Sequence, residues 1–131
     1  MGTVFVAVDD PETDRGVHVV KVLRPELATD PASLRAFHEE ARLAAKLRHP
    51  NVVAARGTGK CGLRHFLEME YVEGKTLEAL SRKLAFADPN EAIGALVHAL
   101  LQMLEGLAYA HAEGIVHRDV SPHNVLVGID G

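Results

Sequence analysis

The 131-residue sequence contains one cysteine, Cys61, so no disulfide framework can form within it. A chain of this kind belongs in a reducing compartment, and the cytoplasm is the expectation. A surplus of basic residues is also missing, and the net charge is −4. Proteins that grip nucleic acid neutralise phosphates with clustered Lys and Arg, so no nucleic-acid partner is expected. Long uninterrupted apolar runs are scarce. The most apolar stretch, Ile93 to Ala112, is broken by His98, Gln102 and Glu105, and no membrane contact is expected. A secretory leader needs a basic residue ahead of its apolar run, and none precedes Val4–Val8. Met1-Gly2 could open an N-myristoylation signal, but Val6 stands where Ser or Thr is needed. Repeats and low-complexity segments are absent. What remains is an ordinary globular composition, 47% apolar and 24% charged, long enough for one modest domain.

The elements can be read in order. Val4, Val6 and Val8 alternate with Phe5 and Ala7, which reads as a strand, and Val17 to Leu23 reads as a second. Asp9-Asp10-Pro11-Glu12 with Gly16 forms the turn of the resulting hairpin, and Arg24-Pro25 ends it. A helix follows, with Asp30 or Ser33 as N-cap and Pro31 in its first turn. At about 100° per residue its apolar positions Leu34, Phe37, Ala41, Ala44 and Leu47 share one arc of roughly 140°. Glu40 falls inside that arc, whereas Glu39 lies well outside it as a solvated charge. A carboxylate on a buried face needs a cation, and Lys21, which interrupts the apolar second strand, is the natural partner. The alternative is that Glu40 sits at the helix edge and reaches water.

The helix should end by His49-Pro50, with a third strand at Val52 to Ala55. Gly57-Thr58-Gly59-Lys60-Cys61-Gly62 matches G-x-G-x-x-G letter for letter. A dinucleotide loop must open a helix, however, and Leu63 to Val72 reads as a further strand, so the glycines are expected to make a hairpin turn. Glu73-Gly74-Lys75 breaks the pattern and marks the expected boundary between two parts, 1–72 and 73–131. Thr76 can cap a short helix, and Asp88-Pro89-Asn90 opens a longer one ended by Gly114. The apolar period Ile93, Leu96, Val97, Leu100, Leu101, Leu104, Leu107, Ala108 requires a cover on that face, and without neighbours the helix is expected to expose it. The chain closes with a short strand, Val125–Val127, and a turn signal at Asp130-Gly131.

Between the last helix and the last strand lies His117-Arg118-Asp119-Val120-Ser121-Pro122-His123-Asn124. It offers a carboxylate and, five residues on, an amide, in a loop between rigid elements, where catalytic groups concentrate. Pro122 fixes its own backbone and biases Ser121 towards an extended conformation, which helps set Asp119 against Asn124. His111, His117 and His123 recur every six residues, a spacing that suits no compact metal motif.

The octapeptide resembles the H-R-D-x-x-x-x-N catalytic loop of the eukaryotic-type protein kinases. Together with the strand Lys21, the helix Glu40 and the hinge-like Met69-Glu70-Tyr71-Val72-Glu73-Gly74, the resemblance covers the whole chain. It implies an α+β, protein-kinase-like fold fragment: an incomplete small β-lobe with one helix, then the first helices and the catalytic loop of the large α-lobe. It implies ATP and Mg²⁺ as cofactors, a protein substrate as partner, and serine/threonine kinase activity. By resemblance, Lys21 grips the α- and β-phosphates and Glu40 orients it. A buried pair of that kind typically costs about 3–5 kcal/mol to break. Met69 is the gatekeeper, the backbone of Glu70 and Val72 meets the adenine, and Val4, Val19 and Leu126 sandwich its ring. Asp119 receives or orients the hydroxyl proton, Asn124 binds Mg²⁺, and Arg118 resembles the arginine that pairs with a phosphorylated activation segment. His117 is structural.

The pattern also departs from the family. Of the three glycines of the phosphate loop only Gly2 is present, and the Asp-Phe-Gly segment beyond Asn124 is not reached. The expectation is therefore a fragment that is inactive, or nearly so, by itself. Ser121 stands where serine/threonine kinases carry Lys, and Val19 where Ala is usual. Two alternatives remain. Small-molecule kinases of the aminoglycoside or choline type share H-x-D-x-x-x-x-N, but typically with Gly in place of Arg118. A non-catalytic kinase-like nucleotide-binding or interaction module has no evident reason to keep Lys21, Glu40 and Asp119.

Overall fold

The computed structural model describes residues 2–8 and 16–129. The turn expected at Asp9 to Glu12 and the Asp130-Gly131 signal lie outside them. The described chain divides into two compact units, one drawn from residues 1–48 and 52–71 and the other from 49–51 and 72–131.

The first unit is a four-stranded antiparallel sheet with two helices. Strands β1 (Gly2–Val8), β2 (Val17–Leu23), β3 (Ala55–Cys61) and β4 (Arg64–Glu70) lie in the order β1-β2-β4-β3. The alternating valines give β1 and β2 their hairpin, in the register Val4↔Lys21 and Val6↔Val19. Arg24 ends the strand, and Pro25 then opens a four-residue helix, α1 (Pro25–Ala28), which the sequence reading missed. Helix α2 (Pro31–Ala44) is capped as expected by Asp30, whose carboxylate accepts from the amides of Ala32 and Ser33. Those bonds, with one from Ser33 Oγ at 2.6 Å, hold the Asp30 carboxyl below the usual aspartate range. Most of the predicted apolar arc packs as read: Phe37 and Ala41 join Leu23, Ala55 and Leu67 in the core, with Leu34 and Ala44 against them. The helix stops at Ala44, short of His49-Pro50, so Leu47, expected on the same arc, lies beyond it and is buried outside this cluster.

The glycine-rich segment corrects the sequence reading. Val52 to Ala55 is not the third strand, and Gly57 to Gly62 is not a loop. The strand begins at Ala55 and runs through the glycines to Cys61, with an irregularity of register between Ala55 and Gly57. The physical reason lies across the ladder. Gly59 pairs with Phe66, and a Cβ at Gly59 would come within 2.2 Å of the ring's Cζ. Only the tip turns, where Gly62 takes φ 58°, a left-handed value open to glycine at little cost.

The second unit carries α3 (Leu77–Leu84), α4 (Pro89–Ala112) and a two-stranded antiparallel ribbon of β5 (Gly74–Thr76) and β6 (Leu126–Gly128). Thr76 caps α3 and Asp88 caps α4, both through side-chain oxygens. Gly114, at φ 75°, ends α4, and Ile115 N–H returns to Ala110 O at 2.8 Å. β5 was read as a break in structure. It is a strand because Gly74 lets β6 approach: a Cβ there would meet Val127 O at 2.0 Å.

Helix α4 bears on two further expectations. Its buried residues are Gly106 and Ala110, while Ile93, Val97, Leu100, Leu101 and Leu104 are exposed, so the apolar face is not covered among the described residues. With 24 residues it is also long and apolar enough, by length and composition, to cross a membrane, contrary to the reading that no segment is. Two of the three polar residues that interrupt the run, His98 and Gln102, bond sideways. Gln102 Nε2 meets His98 Nε2 at 2.7 Å, and Asn51 Nδ2 donates to Gln102 Oε1 at 3.3 Å.

Candidate functional site

In the first unit, β2 and α2 bring the expected cation and carboxylate together. Lys21 Nζ donates to Glu40 Oε1 at 2.9 Å. Lys21 points to the core face of the sheet because it shares the parity of Leu23 and sits opposite Leu67. Its side chain is 18% exposed, but that of Glu40 is 48% exposed. The partner was read correctly and the burial was not: Glu40 sits at the edge of the helix and reaches water. Glu39, read as solvated, is exposed and takes Arg42 in a two-pronged bond of 2.7 and 3.0 Å, which lowers the Glu39 pKa.

A cavity of about 160 Å³ opens beside the pair, lined by Gly2, Lys21, Leu23, Leu27, Phe37 and Glu40 among others. Gly2 is pressed against β2, and a Cβ there would lie 2.5 Å from Val22 O. Of the expected adenine contacts in this unit, Val4 on β1 is exposed, whereas Val19 on β2 and Met69 and Glu70 on β4 are half-buried. Glu70 is more committed than its sequence suggested. Its N–H donates to Ala54 O at 3.0 Å and its carboxylate accepts from Ala54 N–H at 2.7 Å.

In the second unit the octapeptide folds as a tight loop. Asn124 Nδ2 donates to Asp119 O at 3.0 Å and to Asp119 Oδ2 at 2.9 Å. Asn124 N–H turns back to Ser121 O at 3.0 Å, the compact bend that Pro122 favours. His117 Nδ1 accepts from Asp119 N–H at 3.3 Å. Arg118 has φ 62°, and it is the one non-glycine residue with positive φ among those described. That backbone disfavours a residue with a Cβ, and such strain concentrates at functional sites. Leu126 lies on β6 and is exposed, and Val72, in the second unit, is half-buried. No cluster of three or more His, Cys, Asp or Glu poised for a metal occurs among the described residues, so His111, His117 and His123 do not converge on one.

The sequence reading missed what holds this loop from outside. Leu126 and Val127 pair with Thr76 and Lys75, and the Lys75 ammonium lies against that of Lys83, which lowers the Lys75 pKa. Glu78 of α3 also reaches His123 at 2.9 Å. No local pattern announces a contact between residues 78 and 123. The only sequence cue is a carboxylate in the first turn of a helix whose cap abuts a strand.

Compared with known proteins, residues 1–131 match the family model described as protein kinase domain. The chain is 37% identical over 127 residues to the serine/threonine-protein kinase PrkC of Bacillus subtilis (strain 168), covering 97% of itself and 19% of that protein. It is 41% identical over 122 residues to the serine/threonine-protein kinase PknL of Mycobacterium tuberculosis, covering 93% of itself and 29% of that protein. Among solved structures, it superposes on the Mycobacterium tuberculosis PknI kinase domain with a TM-score of 0.75 at 31% identity, covering 98% of itself and 49% of that chain. The chain thus spans less than a third of these curated relatives and about half of a solved domain.

Proposed function

The chain belongs to the protein kinase domain family, and on that premise we propose that it carries the phosphoryl-transfer core of a serine/threonine protein kinase acting on protein hydroxyls. In this reading Lys21 Nζ holds the α- and β-phosphates of ATP, and Glu40 Oε1, 2.9 Å away, keeps the ammonium aimed. Gly2 lets the backbone approach the phosphates. Val4, Val19 and Leu126 flank the adenine, with Met69 as gatekeeper. Because the Glu70 N–H is taken by Ala54, the polar contact at that residue falls to its carbonyl, and the amide contact falls to Val72.

Asp119 receives or orients the proton of the attacking hydroxyl, a role worth about 10²–10⁴-fold. The loop fits a hard cation: both hydrogen bonds of the Asn124 side chain use its nitrogen, which leaves the amide oxygen for Mg²⁺. ATP with its divalent metal supplies the γ-phosphoryl group and neutralises its charge, and the protein's share is positioning and electrostatics. Residues 1–72 and 73–131 serve as the two parts of this apparatus. The observation that supports the reading most directly is the pair of hydrogen bonds that Asn124 donates to Asp119.

The test is nucleotide titration of the purified chain with and without Mg²⁺. Weak binding that Mg²⁺ strengthens and Lys21→Ala removes is the expected result. A folded chain that binds no nucleotide under either condition refutes the reading. Spanning about half of a solved kinase domain, the isolated chain is expected to turn over little or no ATP. Turnover abolished by Asp119→Asn would overturn that expectation while supporting the assignment.

A further inference from the structure

The loop that carries Asp119 and Asn124 is gripped by the first turn of α3. Leu77 N–H donates to Val125 O at 2.8 Å, and Glu78 N–H donates to Pro122 O at 3.2 Å. These amides belong to the set that a helix leaves without an internal acceptor, so the loop satisfies what water otherwise would. The Glu78 side chain adds a third hold. One carboxylate oxygen, Oε2, lies 2.9 Å from His123 Nε2, while Oε1 takes Arg82, one helical turn along. A single residue therefore holds the loop by its main chain at Pro122 and by its side chain at His123. The next residue is Asn124.

We propose that Glu78 is a positioning residue for the catalytic loop, fixing His123 so that Asn124 keeps its two bonds to Asp119. Its meaning for phosphoryl transfer rests on the function proposed above, but the positioning itself is a property of the fold and can be tested separately. Exposed ion pairs add little to global stability, and His123 is 68% exposed, so the effect is local. Glu78 is suited to it: its side chain is only 29% exposed, its backbone is pinned to the loop, and Arg82 already orders its carboxylate. Little freedom is left to lose when it takes His123. A carboxylate in the first turn of a helix is also favoured by the backbone dipoles there.

The experiment uses the whole 131-residue chain, isotope-labelled for NMR. The readouts are the side-chain amide resonances of Asn124 and their exchange with solvent. In Glu78→Gln and in His123→Ala the same Asn124 resonances move and their exchange quickens about threefold, the scale of one exposed pair. The double variant moves them no further, because both changes remove one contact. His123→Lys, which supplies a donor to the same carboxylate oxygen, restores them. Arg82→Ala, which removes the group that orders the Glu78 carboxylate, moves them in the same direction but by less. Unchanged Asn124 resonances in His123→Ala overturn the proposal, and that variant, altering an exposed side chain, decides the matter even if Glu78→Gln fails to fold. A second arm adds Mn²⁺ and ATP and follows paramagnetic broadening at Asn124. Broadening that needs about threefold more ligand in Glu78→Gln supports positioning with function. If Asn124 depends on Glu78 but never broadens, the positioning stands and the kinase reading fails.

Discussion

Asn124 reaches back five residues and holds Asp119 twice, at its backbone oxygen and at its carboxylate. Removing the amide with Asn124→Ala frees the carboxylate and takes away the oxygen assigned to the metal. The expected result is loss of the Mg²⁺-dependent part of nucleotide binding, with the Mg²⁺-independent part retained, as calorimetry would show. Asn124→Asp should be worse for the loop, since two carboxylates at this distance repel and one pKa rises.

The Lys21–Glu40 pair can be weighed by its exposure. A fully buried pair broken from one side costs about 3–5 kcal/mol, whereas an exposed one costs about 0–1 kcal/mol. With Glu40 half in water, Glu40→Gln should cost about 1 kcal/mol in urea unfolding. A loss at the buried value would mean that the carboxylate is desolvated in solution. Lys21→Met, which keeps the stem among its apolar neighbours, separates packing from charge.

Two glycines permit close approach, and their substitutions should differ. At Gly74 an added Cβ meets the backbone oxygen of Val127, which cannot swing aside. Gly74→Ala should part β5 from β6, costing about 1–3 kcal/mol, with faster amide exchange at Ile129, whose N–H donates to Glu73 O. At Gly59 the obstacle is the Phe66 ring. Gly59→Ala alone should destabilise, and Phe66→Leu in the same chain should recover part of the loss. Strict additivity of the two changes would show that the ring is not the obstacle.

His65 faces Lys60 across the β3–β4 ladder and meets the His38 ring edge-on at 5.2 Å. Burial first, then the charges of Lys60 and His38, hold its pKa below the usual histidine range. Because the folded pKa is depressed, the unfolded chain binds the proton more readily. The stability linked to neutral His65 is present above the unfolded pKa, about 6.5, and is lost as pH falls through the folded value. An imidazole titration should therefore show a midpoint below that of a free histidine, and Lys60→Gln should move it back upward. A midpoint at the ordinary value would contradict the geometry.

The open face of α4 should make the isolated chain self-associate. Leu101 is 57% exposed and Leu104 55%, and an apolar stripe of this kind is an association surface. Sedimentation should show association that grows with concentration and is relieved by Leu101→Glu. A monomer at high concentration would mean that the stripe is covered in solution.

These elements also show how far the sequence could be read. The hairpin valines, the arc of α2, the caps Asp30, Thr76 and Asp88 and the stop at Gly114 were legible, because each acts over one or two turns of chain. So were the pairing of Lys21 with Glu40 and the turn that brings Asn124 to Asp119. The misreadings share another cause. The glycines of β3 look like a turn until Phe66 is seen across the ladder, and Gly74-Lys75-Thr76 has no strand pattern until β6 lies beside it. Glu78 gives no hint of His123, 45 residues away. The depth of Glu40 could not be judged from helical periodicity, because a face does not say where its rim meets solvent.

Arg118 sits in a left-handed backbone conformation that a side chain pays to adopt. Glycine or asparagine adopts that conformation more readily. A library of this chain screened for soluble yield should therefore drift toward Arg118→Gly or Arg118→Asn, while one carrying the same loop in a full-length kinase domain and screened for phosphorylated product should keep the arginine. Opposite enrichment at this one codon under the two pressures would identify a place where folding and chemistry compete.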